Sequence, residues 1–220
     1  MTETITGPQC PLVLLGAGGH ARVLLALVRA NGNEVLGVCD PALKAKGQPD
    51  WEGVPVLGDD DALLQIGPDK VGLVLGVGQL PYNTTRADLY QAWSQRGYSF
   101  PPLVHPKAWV SPEVGLSDGL QIMAGAVVQP GCIFGSNIIV NTNAGLDHDC
   151  HIGNNVHIAP GATLCGSVTV GIGAFIGAGA VVIQNLHIGS GAVVGAGVTL
   201  VRNLQPGKTL FDKPEPKVQE

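Results

Sequence analysis

The stretch VTVGIGAFIGAGAVVIQNLHIG, residues 168–189, places an aliphatic residue at every sixth position. The series runs through Val170, Ile176, Val182 and Ile188. An α-helix cannot keep this phase, because six residues advance it by about 600°, well off a whole number of turns. The stretch therefore indicates short strands that recur at a fixed interval.

The same period extends well beyond this stretch. Counting in sixes from Val110 to Leu200 gives sixteen positions, all aliphatic or phenylalanine, with no change of phase. A second series, wholly apolar and mostly small, lies two residues before the first. Its members are Ala108, Val114, Leu120, Ala126, Cys132, Ile138, Ala144, Cys150, Val156, Ala162, Val168, Ala174, Ala180, Leu186, Ala192 and Val198.

A hexapeptide repeat of this length predicts a left-handed parallel β-helix, in which three hexads form one triangular coil. The sixteen hexads would give about five coils, stacked about 4.8 Å apart, with both apolar series pointing inward. Another glycine-rich β-solenoid is the alternative.

The first half of the chain has a different spacing of apolar residues. Three apolar runs predict strands, and three stretches with helical spacing follow them in alternation. The strands are PLVLLG, EVLGVCD and VGLVLGVG, and the helical stretches are HARVLLALVRANG, DDDALLQIG and NTTRADLYQAWSQRG. This order predicts a small Rossmann-like parallel sheet with helices on its faces. We therefore expect an α/β domain at 1–106, the β-helix at 107–205 and a C-terminal tail at 206–220.

Composition excludes several classes of function. Charged residues make up only 13% of the chain and the net charge is -5, which provides no basic patch for nucleic acid or an anionic membrane. No apolar run approaches the ~20 residues of a membrane span, and the first ten residues lack the features of a signal peptide. The five cysteines are scattered without a CxxC motif. We expect a cytoplasmic protein with reduced thiols and neither nucleic-acid nor membrane partners.

The stretch LDHDCHIG, residues 146–153, holds two histidines and two aspartates in eight positions. Leu146 and Ile152 belong to the aliphatic series, and Cys150 belongs to the small series. The four polar residues between them fall in the other phases and should face outward: Asp147, His148, Asp149 and His151. His157 lies half a coil past His148, so a groove between adjacent prisms could bring both imidazoles together, whereas one prism could not easily do so.

A histidine beside a carboxylate suits a general base, because histidine titrates near neutral pH and the acid can orient its ring. A surface turn without chemistry is the plain alternative, and a zinc enzyme is another. His151 and His187 lie 36 residues apart, two coils on one face, or roughly 10 Å. That is too far for one zinc ion, whose ligands lie about 2.0 Å away, unless a partner prism supplies a ligand.

The N-terminal stretch GAGGHA, residues 16–21, follows a strand and opens a helix, as in a dinucleotide-binding fingerprint. Asp40 ends the next strand, about where a ribose-binding acid would lie. The motif alone suggests NAD, but fewer than a hundred residues are present for such a domain. The turn also suits the pyrophosphate of a nucleotide sugar, and a tight turn without a ligand remains open.

The combination of GAGGHA with a hexapeptide β-helix containing DHDCHIG and VHIAPGA resembles the bacterial nucleotide-sugar acetyltransferases. It is most similar to the enzymes that N-acetylate UDP-linked 4-amino sugars for bacillosamine or GDP-perosamine, and the sialic-acid O-acetyltransferases are relatives. The resemblance covers about residues 11–205. It implies a homotrimer in polysaccharide biosynthesis, with acetyl-CoA as co-substrate, no metal, and a nucleotide-sugar acceptor that binds the N-terminal domain.

The resemblance also implies roles for individual residues. His148 would be the catalytic base, and Asp149 the acid that orients it. Contacts with the acceptor are implied for Gly16, Gly18, His20, Asp40, Gly76, Gly78, Asn141 and Asp147. Contacts with acetyl-CoA are implied for His157, Gly166, Gly177, Ala178 and Ala196. Family members often end in a GVPAK-like tail, whereas this chain ends in FDKPEPKVQE.

The expected reaction is therefore N-acetylation of a nucleotide-linked 4-amino sugar. The sequence leaves open whether the nucleotide is UDP or GDP, and whether the acceptor is an amine or a hydroxyl. O-acetylation of a sugar such as sialic acid is one alternative. A non-catalytic trimeric nucleotide-sugar-binding protein is another.

Overall fold

The computed structural model describes residues 10–211 of the chain, and it begins with an α/β unit. Its strands are Leu12–Leu15 (β1), Val35–Cys39 (β2), Asp50–Trp51 (β3), Val54–Gly58 (β4) and Gly72–Leu75 (β5). Its helices are Gly19–Ala30 (α1), Pro41–Ala45 (α2), Leu63–Ile66 (α3) and Thr85–Ser94 (α4), with a 3-10 turn at Asp60–Ala62. The sheet order is β3-β4-β2-β1-β5, and all pairs are parallel except the hairpin of β3 with β4. The predicted small parallel sheet is confirmed.

Two features of this unit were not predicted from the sequence. The Asp40 carboxylate accepts hydrogen bonds from the N–H groups of Ala42 and Leu43, and Pro41 occupies the first position of α2. An acidic N-cap followed by proline is a helix-start signal that the prediction overlooked. The β3–β4 hairpin was missed because Pro55 interrupts the apolar pattern of β4.

The rest of the chain winds into a prism with three parallel sheets as faces. The first face holds Leu103–Val104 (β6), Gln121–Ile122 (β8), Ile139–Val140 (β11), His157–Ile158 (β14), Phe175–Ile176 (β17), Val193–Val194 (β20) and Thr209–Leu210 (β22). The second holds Trp109–Val110 (β7), Val127–Val128 (β9), Gly145–Leu146 (β12), Thr163–Leu164 (β15), Val181–Val182 (β18) and Thr199–Leu200 (β21). The third holds Ile133–Phe134 (β10), His151–Ile152 (β13), Thr169–Val170 (β16) and His187–Ile188 (β19).

The hexad determines this architecture directly. Successive strands of a face lie eighteen residues apart, as in the pairing of His151 with Thr169 and of Thr169 with His187. Both inward series form one continuous apolar core, so the predicted β-helix is confirmed. The first members, such as Val110 and Leu116, are partly exposed because no coil covers them from above, and Leu186 is the one later member that is partly exposed within residues 10–211.

Strand pairing extends a few residues past both predicted ends of the β-helix. Leu103 already pairs with Gln121, and Thr209 pairs with Val193 after a step of sixteen residues instead of eighteen. The domain boundaries at 106/107 and 205/206 stay predictions. Most of the unusual tail, at 212–220, lies outside the described residues.

The α/β unit packs on the first face of the prism. The outward side chains of Met123 and Ile139 belong to the same buried cluster as Leu24 and Val28 of α1. A band of polar residues crosses this contact, and we call it the seam: His20, Gln79, Arg86, Gln121, Asn141 and His157. No helix within residues 10–211 is long and apolar enough to cross a membrane.

Candidate active site

His148 and Asp149 form a hydrogen-bonded pair at the corner between the second and third faces. The Nδ1 atom of His148 lies 2.8 Å from Oδ2 of Asp149, and the two side chains are 57% and 63% exposed. The hydrogen bond to Asp149 raises the pKa of His148 above its ordinary value. Because an ionised carboxylate can only accept, Nδ1 carries the proton and Nε2 is left as the unprotonated nitrogen that can act as a base.

The backbone of this corner presents the pair to solvent. Asp149 has a φ of 60°, in the left-handed region that aspartate tolerates, and its N–H donates to the carbonyl of Pro130 at 3.0 Å. Asp147 accepts the N–H of His148 at 2.8 Å. His151 is exposed as well, so the predicted outward placement of all four polar residues is confirmed.

Two glycines on neighbouring coils make room for the pair. A Cβ atom on Gly166, one coil after His148, would lie 2.5 Å from Nε2 of the imidazole and 2.6 Å from Cε1. A Cβ atom on Gly131, one coil before Asp149, would collide with the carboxylate oxygen Oδ1. The imidazole ring of His148 and the carboxylate of Asp149 therefore pack directly against the glycine backbone of the neighbouring coils.

His157 lies on the first face and is only 8% exposed. Its Nδ1 donates to the carbonyl of Gln79 at 2.9 Å, and its Nε2 lies 3.1 Å from Nδ2 of Asn141. Because Oδ1 of Asn141 accepts the N–H of Thr142 at 2.8 Å, the amide nitrogen points at the ring and Nε2 acts as an acceptor. Burial lowers the pKa of His157 to about 4, so the ring is neutral at neutral pH.

His20 is held in a similar way at the opposite end of the seam. Gln121 donates through Nε2 to the carbonyl of Leu75 at 3.2 Å, which turns its Oε1 toward His20. The Nε2 atom of His20 lies 3.0 Å from this oxygen and therefore carries the proton. Burial is the main cause that lowers the pKa of His20 to about 4.

The glycines of the GAGGHA turn divide into packed and open positions. Gly16 has a φ of 90°, and a Cβ atom on Gly76 would lie 2.6 Å from the Gly16 carbonyl, so both are required by the backbone. Gly18 has open space around it. The second oxygen of Asp40 accepts the N–H of Ala17 at 2.9 Å, which ties the turn to the N-cap of α2. The ribose contact predicted for Asp40 stays a prediction.

Gly78 lies beside the histidine of this turn. A Cβ atom on Gly78 would be 3.4 Å from the Cβ atom of His20, a contact that leaves little room. The predicted acceptor residues Gly16, Gly18, His20, Gly76 and Gly78 are therefore brought together around the carboxyl ends of β1 and β5.

The residues predicted to contact acetyl-CoA through their backbone lie at corners of the prism. Gly177 donates its N–H to the carbonyl of Val194, and a Cβ atom there would touch the next coil. Within residues 10–211, the N–H groups of Gly166, Ala178 and Ala196 donate to no backbone carbonyl. Ala178 and Ala196 are exposed, so their N–H groups are free to donate to a ligand, whereas Gly166 is buried beside the His148 ring.

The structure separates the predicted site residues into two groups within one chain. His148, Asp149 and Gly166 share the corner between the second and third faces, which in a triangular prism is opposite the first face. His157 and Asn141 lie on that first face, under the α/β unit. One chain therefore does not bring the two groups to one point.

Three polar residues that hold the seam together were not predicted from the sequence, namely Gln79, Arg86 and Gln121. Gln121 is an outward residue of the hexad and is only 3% exposed because the α/β unit covers it. The local pattern predicts an exposed residue there, so only knowledge of the domain contact could have identified it.

No group of three metal-ligating side chains occurs in the part of the chain that the structure describes. His151 and His187 lie on either side of Thr169 on the third face, two coils apart, as the repeat predicts.

Comparison with known proteins gives matches to both parts of the chain. The family model described as the PglD N-terminal domain matches residues 11–92. The acetyltransferase domain of PglB from Neisseria gonorrhoeae, solved with acetyl coenzyme A, is 34% identical with a TM-score of 0.84, over 92% of this chain and 96% of that one. The chain belongs to the nucleotide-sugar acetyltransferases of the left-handed β-helix superfamily.

Other solved structures are similar to this chain. A variant of perosamine N-acetyltransferase from Caulobacter crescentus, solved with CoA and GDP-perosamine, is 35% identical with a TM-score of 0.83, over 92% of this chain and 94% of that one. WeeI from Acinetobacter baumannii shares the fold at 23% identity and a TM-score of 0.76, over 94% of this chain and 98% of that one. A search of curated proteins found no match. The protein is an acetyltransferase, as the resemblance of its motifs implied.

Proposed function

We propose that this acetyltransferase transfers the acetyl group of acetyl-CoA to the 4-amino group of a nucleotide-linked amino sugar, with His148 as general base. The observation that carries the proposal is the exposed His148–Asp149 pair, in which Asp149 holds the proton on Nδ1 and leaves Nε2 unprotonated. The solved complexes of related enzymes with acetyl coenzyme A, and with CoA and GDP-perosamine, support this choice of substrates.

The proposed reaction is direct transfer. The amine nitrogen attacks the thioester carbon while Nε2 of His148 takes one amine proton. The tetrahedral intermediate then collapses, the carbon–sulfur bond breaks, and the imidazolium returns the proton to the leaving sulfur of CoA. Asp149 stabilises the imidazolium through the hydrogen bond to Nδ1. No acyl-enzyme forms in this scheme.

The charge that develops on the thioester oxygen needs hydrogen-bond donors. We assign this role to backbone N–H groups, with that of Gly166 next to the His148 ring as the first candidate. His157 is a poor donor in the described arrangement, because its Nε2 accepts from Asn141. We propose that His157 and Asn141 meet the acetyl group and the acceptor sugar as one hydrogen-bonded unit.

The acceptor's pyrophosphate is assigned to the GAGGHA turn. The N-terminus of α1 points its free N–H groups at this turn, a geometry that favours anions. Gly18 leaves space there, and His20 and Asp40 flank it. By the same family resemblance, we propose a cytoplasmic role in O-antigen or other polysaccharide biosynthesis.

We further propose a homotrimer in which each site is shared between two chains. In one chain, His148 lies at the corner opposite the face that carries His157. A neighbouring prism would bring the His148 corner of one chain to the first face of the next. Sedimentation should give a trimer, and a fully active monomer would contradict the shared site.

Release of CoA thiol, measured with acetyl-CoA and a panel of UDP- and GDP-linked 4-amino sugars, tests the function. We expect turnover with at least one amino sugar and none with its 4-hydroxyl analogue. Turnover with hydroxyl acceptors alone would indicate an O-acetyltransferase. Binding of nucleotide sugars without any thiol release would indicate a binding protein instead.

A further inference from the structure

Arg86 is a cation buried where the two parts of the molecule meet. It lies in the first turn of α4 and is 1% exposed. Its Nη1 donates to two carbonyls at the end of β5, that of Leu75 at 3.0 Å and that of Val77 at 2.7 Å. Burial lowers the pKa of Arg86 to about 9, so the guanidinium is charged at neutral pH.

This placement is unfavourable to stability in three ways. Among residues 10–211, no carboxylate forms an ion pair with Arg86, and its Nε and Nη2 find no hydrogen-bond partner. A buried charge without a partner is costly. A cation in the first turn of a helix also opposes the helix dipole. A neutral donor would hold two carbonyls at lower cost, which suggests that the charge itself has a use.

The two carbonyls that Arg86 holds are the starting points of two hydrogen-bond chains. The Leu75 carbonyl also accepts from Gln121, whose other amide atom binds His20. Two residues after Val77, the carbonyl of Gln79 accepts from His157, and the Gln79 side chain donates to the carbonyl of Asn155 at 2.7 Å. One guanidinium nitrogen therefore anchors the backbone segment 75–79, which positions both histidines.

Resting on the proposed function, we propose that Arg86 is a positioning residue that locks the acceptor-side His20 and the cofactor-side His157 to the single segment 75–79 and keeps both imidazoles uncharged. A protonated His157 could no longer accept from Asn141, and a protonated His20 would place a second cation beside Arg86. The charge of Arg86 adds to burial in lowering the pKa of each histidine. Arg86 is 1% exposed, so it acts through this segment and not by contact with a substrate.

The test compares full-length Arg86→Met, which keeps bulk without charge, with Arg86→Lys, which keeps the charge. In Arg86→Met we expect the KM for acetyl-CoA and for the acceptor to rise together by about tenfold or more. The imidazole NMR signals of His20 and His157 should titrate at higher pH than in the wild type. In Arg86→Lys both titrations should stay near wild type, and both KM values should change by less than about threefold.

A control separates positioning from loss of stability. Leu63→Ala removes a buried side chain from the same α/β unit and should lower the melting temperature without moving either histidine titration. If Arg86→Met fails to fold, Arg86→Gln replaces it, because Gln keeps a donor for the carbonyls but not the charge. Equal histidine titrations in Arg86→Lys and in the uncharged variant would overturn the inference. If the wild type transfers acetyl to no amino sugar, the proposed function fails, whereas the histidine titrations still decide the role of Arg86.

Discussion

His148 at the prism corner is exposed and bonded to a carboxylate, whereas His20 and His157 at the seam are covered and bonded to neutral amide and carbonyl groups. The carboxylate raises the pKa of the first, and burial lowers those of the other two to about 4. A group that must take up and release a proton needs the first environment. A group that must keep one hydrogen-bonding pattern needs the second.

The backbone reinforces this division of roles. At the corner, glycines on the coils before and after the His148–Asp149 pair leave room for the two side chains. The His148 ring is therefore positioned by few side-chain contacts. At the seam, side chains from both parts of the molecule complete each other's hydrogen bonds. Substitutions at the corner should therefore cost little stability, and substitutions at the seam should cost more.

The largest effect is expected from removing the proposed base. His148→Ala should lower kcat by roughly 10²–10⁴-fold, the usual contribution of a positioned general base. Stability and acetyl-CoA affinity should survive, because substitutions at exposed positions usually change stability by about 0.5 kcal/mol or less. Steady-state thiol release and thermal unfolding measure both.

His151→Ala is the matched control, since His151 is exposed in the same stretch of sequence and should leave kcat near wild type. The comparison of corner and seam breaks down if His148→Ala turns over normally while His151→Ala or His157→Ala is inactive.

The buried histidine at the seam should make the free energy of unfolding fall at acid pH. The pKa of His157 is lowered to about 4 in the folded state from 6.5, so the unfolded state binds more protons between these values. The stability that the neutral ring provides is present above pH 6.5 and is lost as the pH falls toward 4. At pH 5 the loss from this group is about 2 kcal/mol.

Urea unfolding at pH 7 and pH 5 measures this loss. Between pH 7 and pH 5, the free energy of unfolding should fall by about 2 kcal/mol more in the wild type than in His157→Gln, whose side chain cannot titrate. His151→Gln, at an exposed position, should lose as much as wild type. An equal loss in wild type and His157→Gln would mean that the buried ring is not held neutral.

The open glycine of the N-terminal turn gives a smaller effect that concerns one substrate. Gly18→Val fits the backbone, because Gly18 has extended dihedral angles and free space around it. The valine should block the acceptor's pyrophosphate and raise the acceptor KM by about tenfold or more, with the KM for acetyl-CoA unchanged.

Ala30→Val, at the exposed end of α1, controls for a valine added to the same helix. A rise in the KM for acetyl-CoA instead of the acceptor would assign the two ligands to the opposite parts of the molecule.

How much the sequence could predict differs between the two regions for a physical reason. In the prism each residue's environment follows from its phase in the hexad, so the core and the outward placement of His148 could be read directly. The seam depends on which outward residues the α/β unit covers, and no periodic pattern encodes that contact. Gln121 and Arg86 were therefore missed. Asp40 was assigned to a ligand alone because its capping of α2 was overlooked.

The pH dependence of kcat in Asp149→Asn tests the central claim most directly, because asparagine tolerates the left-handed backbone at this position and removes only the charge. Wild-type kcat should rise with pH through an ionisation above the ordinary histidine value, since Asp149 raises the pKa of His148. In Asp149→Asn this limb should move to lower pH, with a loss of kcat smaller than that of His148→Ala. A limb that stays at the wild-type pH would contradict the assignment of His148 and Asp149 as the catalytic pair.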